Sequence, residues 1–195
     1  GIQTPSQRVE KLDLPQNYVC AAPYALWRSR QYPISSFRDI ICDLAKTNKV
    51  VIIGTVADSE REDFIDFSSK TNNVIDLCGK TTLLEMVHVI ARSDMLLAND
   101  SGPAHIGTLF GKSVLTIYGC CSPDLRSPLT KRNGVLLTDL SNGNSCPLFP
   151  CYRGEVEPVC ANDDKHTCLA VPTKAVRDEC ELTLRQVGSV SKKAI

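Results

Sequence analysis

The feature that most constrains this chain is an alternation. Short, continuous runs of β-branched and aliphatic residues recur, each followed by a turn residue and then a segment of helical spacing. Val50-Val51-Ile52-Ile53 is the clearest run and ends in Gly54. A strand apolar at every position has both faces covered, as central parallel strands do. Further strands are expected at Tyr18–Ala22, Val74–Leu77, Asp94–Ala98, Ser113–Tyr118 and about Gly134–Thr138. Helices are expected from Ser35 or Ser36 to about Thr47, over about Ser59–Lys70, from Thr81 or Thr82, and over 102–110. Thr81 or Thr82 with Glu85 has the spacing of a capping box. Leu83, Met86, Val87 and Ile90 are expected on the buried face of that helix. A final helix from Pro172 would bury Val176, Cys180, Leu184 and Val187.

Strands alternating with helices define an α/β fold, a Rossmann-like, mostly parallel sheet with flanking helices. The expected organisation is a linker or arm over residues 1–17, the sheet domain over 18–140, a Cys-rich loop over 141–170 and a C-terminal helix over 171–195. In such sheets ligands bind at the carboxyl ends of the strands. Gly54, Asn99-Asp100 and Gly119 all fall at such ends.

Charge excludes some partners. Lys plus Arg and Asp plus Glu number 22 each, which gives no electrostatic footprint for nucleic acid. No apolar run approaches the ~20 residues of a transmembrane helix, and no signal-peptide h-region is visible. A cytoplasmic protein is expected.

The segment Asn99-Asp100-Ser101-Gly102-Pro103-Ala104-His105 closes a strand and opens a helix. The first turn of a helix presents unpaired N–H groups and the positive dipole end, a site for anions. Gly102 lets a ligand approach the backbone, and Pro103 loses no needed hydrogen bond there. Ser101 can add a hydroxyl, and His105 lies one turn in, able to donate to a phosphate or to be held by Asp100. The competing reading is structural: Asp100 or Ser101 caps the helix and His105 packs beneath it. His88, off the apolar face of its helix, reads as a solvated surface residue.

Ten cysteines divide in two. Six, including Cys20, Cys42 and Cys78, sit in apolar contexts and read as small core residues. Cys146, Cys151, Cys160 and Cys168 share one loop-like stretch with His166. Four thiolates suit a tetrahedral zinc or iron site, although the spacing is not that of a C-x-x-C knuckle. The alternative is an irregular loop of unligated or disulfide-bonded cysteines.

Several motifs together resemble the heptosyltransferase family, the ninth family of glycosyltransferases. They are Asp100-Ser101-Gly102-Pro103-Ala104-His105, Leu77-Cys78-Gly79-Lys80-Thr81-Thr82-Leu83, Gly111-Lys112-Ser113 followed by Tyr118-Gly119, Arg30 ahead of Tyr32-Pro33, and Gly54 with Asp58. The resemblance covers roughly residues 17–140. It implies the second, donor-binding domain of a two-domain GT-B enzyme. That enzyme would transfer heptose with inversion from an ADP-sugar to a lipopolysaccharide-core or related glycan or glycolipid, with no cofactor required. Asp100, Ser101, Gly102 and His105 would hold the diphosphate and sugar, and Arg30 would face the diphosphate. Asp58, or else Glu60, would contact the nucleoside.

The resemblance places the acceptor site and catalytic base in a first domain that this chain does not match, so no catalytic residue is expected here. It also implies a location in the cytoplasm, or peripheral at the inner membrane face. A Cys-Pro-x-x-Pro-Cys-Tyr segment recurs in ordinary members, while cysteine-bound iron belongs to members that modify autotransporters. Arg30 stands where Lys is usual, and Cys120-Cys121 where Pro-Thr is usual, so hydroxyl contacts from that turn are not expected. The alternatives are a non-catalytic nucleotide-sugar-binding module, or an interaction module built on the cysteine loop.

Overall fold

A computed structural model describes residues 12–55, 57, 72–126, 133–136, 146, 149–152, 154, 158–160 and 166–191, with side chains omitted at 133–136 and 189–191. The strands are β1 (Val19–Ala22), β2 (Val50–Ile52), β3 (Val74–Asp76), β4 (Met95–Asn99), β5 (Ser113–Ile117) and β6 (Asn133–Leu136). They form one sheet in the order β3-β2-β1-β4-β5-β6, and every pairing is parallel. The order reverses between β1 and β4. That switch point opens a crevice at the carboxyl ends of two adjacent strands.

The two faces of the sheet are filled separately because strand side chains alternate. Val19, Ala21, Met95, Leu97, Leu115 and Ile117 pack on one face with Phe37, Ile40 and Ile41 of helix α1 (Ile34–Leu44). Val176 and Cys180 of the C-terminal helix α5 (Thr173–Ser191) join them, with Leu184 packed alongside. Cys20, Ala22, Val51, Leu96, Ala98 and Val114 pack on the other face. Helices α2 (Leu83–Arg92) and α3 (Gly102–Leu109) cover that side. Gly107 brings α3 close to the sheet: a Cβ there would lie 2.8 Å from Val114 Cγ2 and 2.9 Å from Leu96 Cδ2.

The capping box forms as the spacing predicts. Thr82 Oγ1 accepts from the Glu85 amide at 3.4 Å, and Glu85 Oε2 accepts from the Thr82 amide at 2.7 Å. The buried face of α2 differs from the expected one. Val89 and Ile90 are buried with Met86 packed beside them, whereas Leu83 is 68 % exposed. Leu83 opens the helix in its capped first turn, and the sheet contact begins one turn later. His88 is likewise not a solvated residue. It is half-buried, and its Nε2 is enclosed without a hydrogen-bond partner. Burial first, then the charge of Arg92, lowers its pKa.

Two short elements near the strand ends have no periodicity to announce them: a 3-10 turn at Arg28–Arg30 and helix α4 (Pro123–Arg126). The expected helix over 59–70 lies outside the described residues, as do residues 1–11 of the leading arm. Leu12 and Leu14 of that arm pack against the core. No helix among the described residues is long and apolar enough to cross a membrane.

Candidate functional site: the crevice between β1 and β4

The chain leaving β1 runs through residues 23–33 over the carboxyl end of β4, and Asn99 fastens it there. Asn99 is fully buried. Its Oδ1 accepts from the Tyr32 amide at 2.9 Å, and its Nδ2 donates to the Pro23 carbonyl at 2.8 Å. One side chain thus ties both ends of the loop to the strand. Within the loop the Ala25 amide donates to Gln31 Oε1 at 3.1 Å. Tyr32 anchors its far end, donating its hydroxyl to the Val171 carbonyl at 2.7 Å.

The result is that Arg30 faces Asp100 across the switch point, Nε to Oδ2 at 3.7 Å. Asp100 is 2 % exposed and Arg30 13 %. Neither group is saturated: Arg30 Nε and Nη2 and Asp100 Oδ2 are buried with no hydrogen-bond partner among the described residues. Burial works against the guanidinium charge. Its interactions with Cys121 and Asp100 outweigh burial and raise the Arg30 pKa.

Helix α3 begins beside this pair. Ser101 is its N-cap residue but makes no side-chain capping bond. Its hydroxyl instead donates to the Asn99 carbonyl at 3.2 Å. Asp100 is turned to Arg30. The purely capping reading of this turn therefore loses its two candidate caps. Gly102 is exposed, and a Cβ built on it meets no atom within 4 Å. His105 is exposed on the first turn. Arg30, Asp100, Ser101, Gly102 and His105 thus cluster around one helix N-terminus. Asp58 and Glu60 lie outside the described residues.

Gly54 and Gly119 play different parts from each other. Gly54 accepts from the Gly79 amide at 3.1 Å, which links the turn after β2 to the turn after β3. Gly79 has φ 69, a left-handed conformation suited to glycine. Gly119 is not an opening for ligand. A Cβ there would lie 2.3 Å from the Ser29 carbonyl oxygen and 2.8 Å from Leu169. It lets the arginine loop seat against β5.

The next two residues, Cys120 and Cys121, are buried with Sγ atoms 3.7 Å apart. The hydrogen bond from Cys121, opposed by burial and helped by Ser29 and Arg30, pulls the Cys120 thiol down to about 6. Donating to Cys120, together with burial, pushes Cys121 up. Cys120 thus stands where the resemblance puts Pro and Cys121 where it puts a hydroxyl, and the turn sets two coupled thiols beside Arg30.

The four loop cysteines do converge. Cys146, Cys151, Cys160 and Cys168 line a cavity of about 40 Å³ together with Ser29, Cys120 and His166. No disulfide joins them. Among the described residues no three His, Cys, Asp or Glu side chains are arranged to hold a metal ion. Of the two readings of this stretch, the structure shows unpaired thiols sharing a cavity and not the arrangement of a tetrahedral zinc or iron site.

Sequence reasoning missed the aromatic residues at Arg30. Its guanidinium carbon sits 4.2 Å from the Trp27 ring centroid and 4.7 Å from that of Tyr152. The two rings are 5.6 Å apart and tilted by 51°. Arg126 of α4 lies 4.5 Å from the Tyr152 ring and donates to its hydroxyl. Only the Cys-Tyr end of the cysteine motif hinted at this.

A parallel sheet in this order, with a cation and an open helix N-terminus at its switch point, defines a Rossmann-like domain suited to an anionic ligand such as a nucleotide. The model of glycosyltransferase family 9 (heptosyltransferase) matches residues 2–147, and the chain belongs to that family. It is 27 % identical over 128 residues to lipooligosaccharide heptosyltransferase 2 of Campylobacter jejuni, covering 62 % of this chain and 40 % of that one. Among solved structures it resembles the ADP-heptose lps heptosyltransferase II of E. coli, with TM-score 0.69 and 20 % identity over 93 % of this chain and 51 % of that one. It also resembles TibC of enterotoxigenic E. coli, an iron-containing dodecameric heptosyltransferase solved with ADP-D-beta-D-heptose. That match has TM-score 0.66 and 15 % identity over 89 % and 47 % of the two chains. The chain thus spans about half the length of the relatives it matches.

Proposed function

We propose that this domain is the donor-binding half of an inverting glycosyltransferase. It takes an ADP-sugar, ADP-heptose by likeness to its relatives, for transfer to a lipopolysaccharide-core or related glycan acceptor. The observation that carries the reading is the Arg30–Asp100 pair at the N-terminus of α3, where a buried cation keeps donors unspent. As the sugar bond breaks, negative charge gathers on the leaving diphosphate. A prepositioned guanidinium and helix N–H groups stabilise that charge without reorganising.

Each residue then has a part. Arg30 faces the diphosphate. The α3 N-terminus at Gly102 and the Ser101 hydroxyl receive its oxygens, and His105 donates at the mouth. Asp100 keeps Arg30 charged and oriented. Asp58 is proposed for the nucleoside. The acceptor hydroxyl and the base that deprotonates it belong to a partner domain, and the site of action is the cytoplasm or the inner membrane face.

Gly102→Ala tests the reading because the protein leaves that position empty. Its melting temperature should stay within a degree or two of wild type, since Ala is a better helix former than Gly. Its affinity for ADP-heptose should fall about 10-fold, from the loss of a charged hydrogen bond at the helix end. His105→Ala should likewise weaken binding while leaving stability nearly unchanged. Wild-type affinity in both variants would sink the assignment of this helix end to the donor.

A further inference from the structure

We infer that Tyr152, from the cysteine-rich segment, is a positioning residue for the donor cation Arg30, so that this segment is a working part of the donor site. The inference rests on the donor-site reading above and names a component of it that neither the motifs nor the comparisons assign.

Arg30 poses an energetic problem. A guanidinium 13 % exposed has given up most of its water, and its Nε and Nη2 find no hydrogen-bond partner among the described residues. Its ion pair with Asp100 is 3.7 Å long. Such a group would turn outward unless something else compensated it. The compensation is aromatic: Trp27 at 4.2 Å and Tyr152 at 4.7 Å. Guanidinium over aromatic faces is favourable, more so when desolvated. Trp27 comes from the same loop as Arg30 and moves with it. Tyr152 comes from outside that loop, 122 residues further along the chain, and can fix Arg30 relative to β4 and β5.

Tyr152 is itself held on three sides. Its amide donates to the Cys120 carbonyl at the end of β5, at 3.3 Å. Its hydroxyl donates to the Gly154 carbonyl at 2.6 Å and accepts from Arg126. Its ring packs with Tyr118, Cys120 and Cys121. The ring is therefore a fixed wall. It blocks the rotamers that would carry Arg30 away from Asp100 and keeps the cation poorly hydrated, the state in which it acts most strongly on a phosphate.

Two properties of the wall separate positioning from packing. The ring face acts on Arg30 directly while the hydroxyl only helps to hold the ring, so Tyr152→Phe should keep most of the wild-type behaviour. The effect must also be visible at Arg30 before any donor binds. The test compares wild type, Tyr152→Phe and Tyr152→Leu by NMR of the Arg30 Nε–H group in ligand-free protein, and by calorimetry with ADP-heptose.

The Arg30 resonance should be displaced upfield by the rings in wild type and in Tyr152→Phe, and should move toward the position of a solvated arginine in Tyr152→Leu. Affinity for ADP-heptose should fall about 10-fold or more in Tyr152→Leu and stay within about 3-fold in Tyr152→Phe. An Arg30 resonance unchanged in Tyr152→Leu overturns the inference, even if that variant melts lower, because it makes Tyr152 mere packing. Equal losses of affinity in Phe and Leu overturn it too. A moved resonance with wild-type affinity in Tyr152→Leu overturns the link between clamp and donor. If wild type itself binds no ADP-heptose, the donor-site reading fails, and this inference falls with it.

Discussion

Replacing Asn99 by Ala should lower the unfolding free energy by about 2–5 kcal/mol, because two buried backbone groups lose their partners at once. The Tyr32 amide and the Pro23 carbonyl both bond to this side chain, and Asn99 is fully buried. Urea unfolding is the measurement. Asn99→Asp is the informative companion. Protonated, it can still accept from Tyr32 and donate its O–H to Pro23, whereas ionised it loses that donor and buries a charge, so its loss should be smaller than that of Asn99→Ala at low pH and grow as pH rises. Because the tied loop carries Arg30, donor binding should weaken in both variants. A change of less than about 0.5 kcal/mol for Asn99→Ala, the level of an ordinary surface substitution, would show that the loop is held by something else.

Arg30→Ala should weaken ADP-heptose binding, and transfer by the complete enzyme, by about 10²–10³-fold, the usual effect of removing one fixed charge-stabilising donor. It should also cost about 3–5 kcal/mol of stability, since Asp100 is left buried without its counter-ion. The two effects can be separated. The double variant Arg30→Ala, Asp100→Ala removes both charges and should recover much of the lost stability while recovering none of the binding. Arg30→Lys keeps the charge but not the planar fork and should fall between. For the same reason Asp100→Ala cannot be read as a pure binding variant. The residue is 2 % exposed against Arg30, so its melting temperature should drop, whereas the exposed His105 can be removed cleanly.

Much of this was legible in the chain because it depends on neighbours in sequence. Val50–Ile53, Met95–Asn99 and Ser113–Ile117 are apolar at nearly every position, and such runs form covered parallel strands whatever else surrounds them. Thr82 and Glu85 satisfy each other locally, so their spacing alone predicts the cap. Asp100 through His105 sit on a strand end and a helix start, so their placement follows from those elements.

What could not be read depends on loops meeting across the sheet. Nothing in the spacing says that Tyr152 lies on Arg30, that Asn99 bonds two distant backbone groups, or that Gly119 is filled by the Ser29 carbonyl. Leu83 misled because periodicity assigns a face to every turn, while only the turns over the sheet are buried. Cys146, Cys151, Cys160 and Cys168 show the opposite limit. Their clustering in sequence left a metal site and an irregular loop both open, because it says nothing of how the thiols are arranged around the cavity they share.

The central claim is that the crevice between β1 and β4 is an ADP-sugar site built on Arg30 and the N-terminus of α3. Titration calorimetry of the wild-type protein with ADP-heptose, a UDP-hexose and a GDP-hexose tests it most directly, with Arg30→Ala measured alongside. ADP-heptose should bind about 10-fold or more tighter than either other nucleotide sugar, and this binding should be lost in Arg30→Ala. Absence of heat with all three nucleotide sugars, or undiminished ADP-heptose binding in Arg30→Ala, would contradict it.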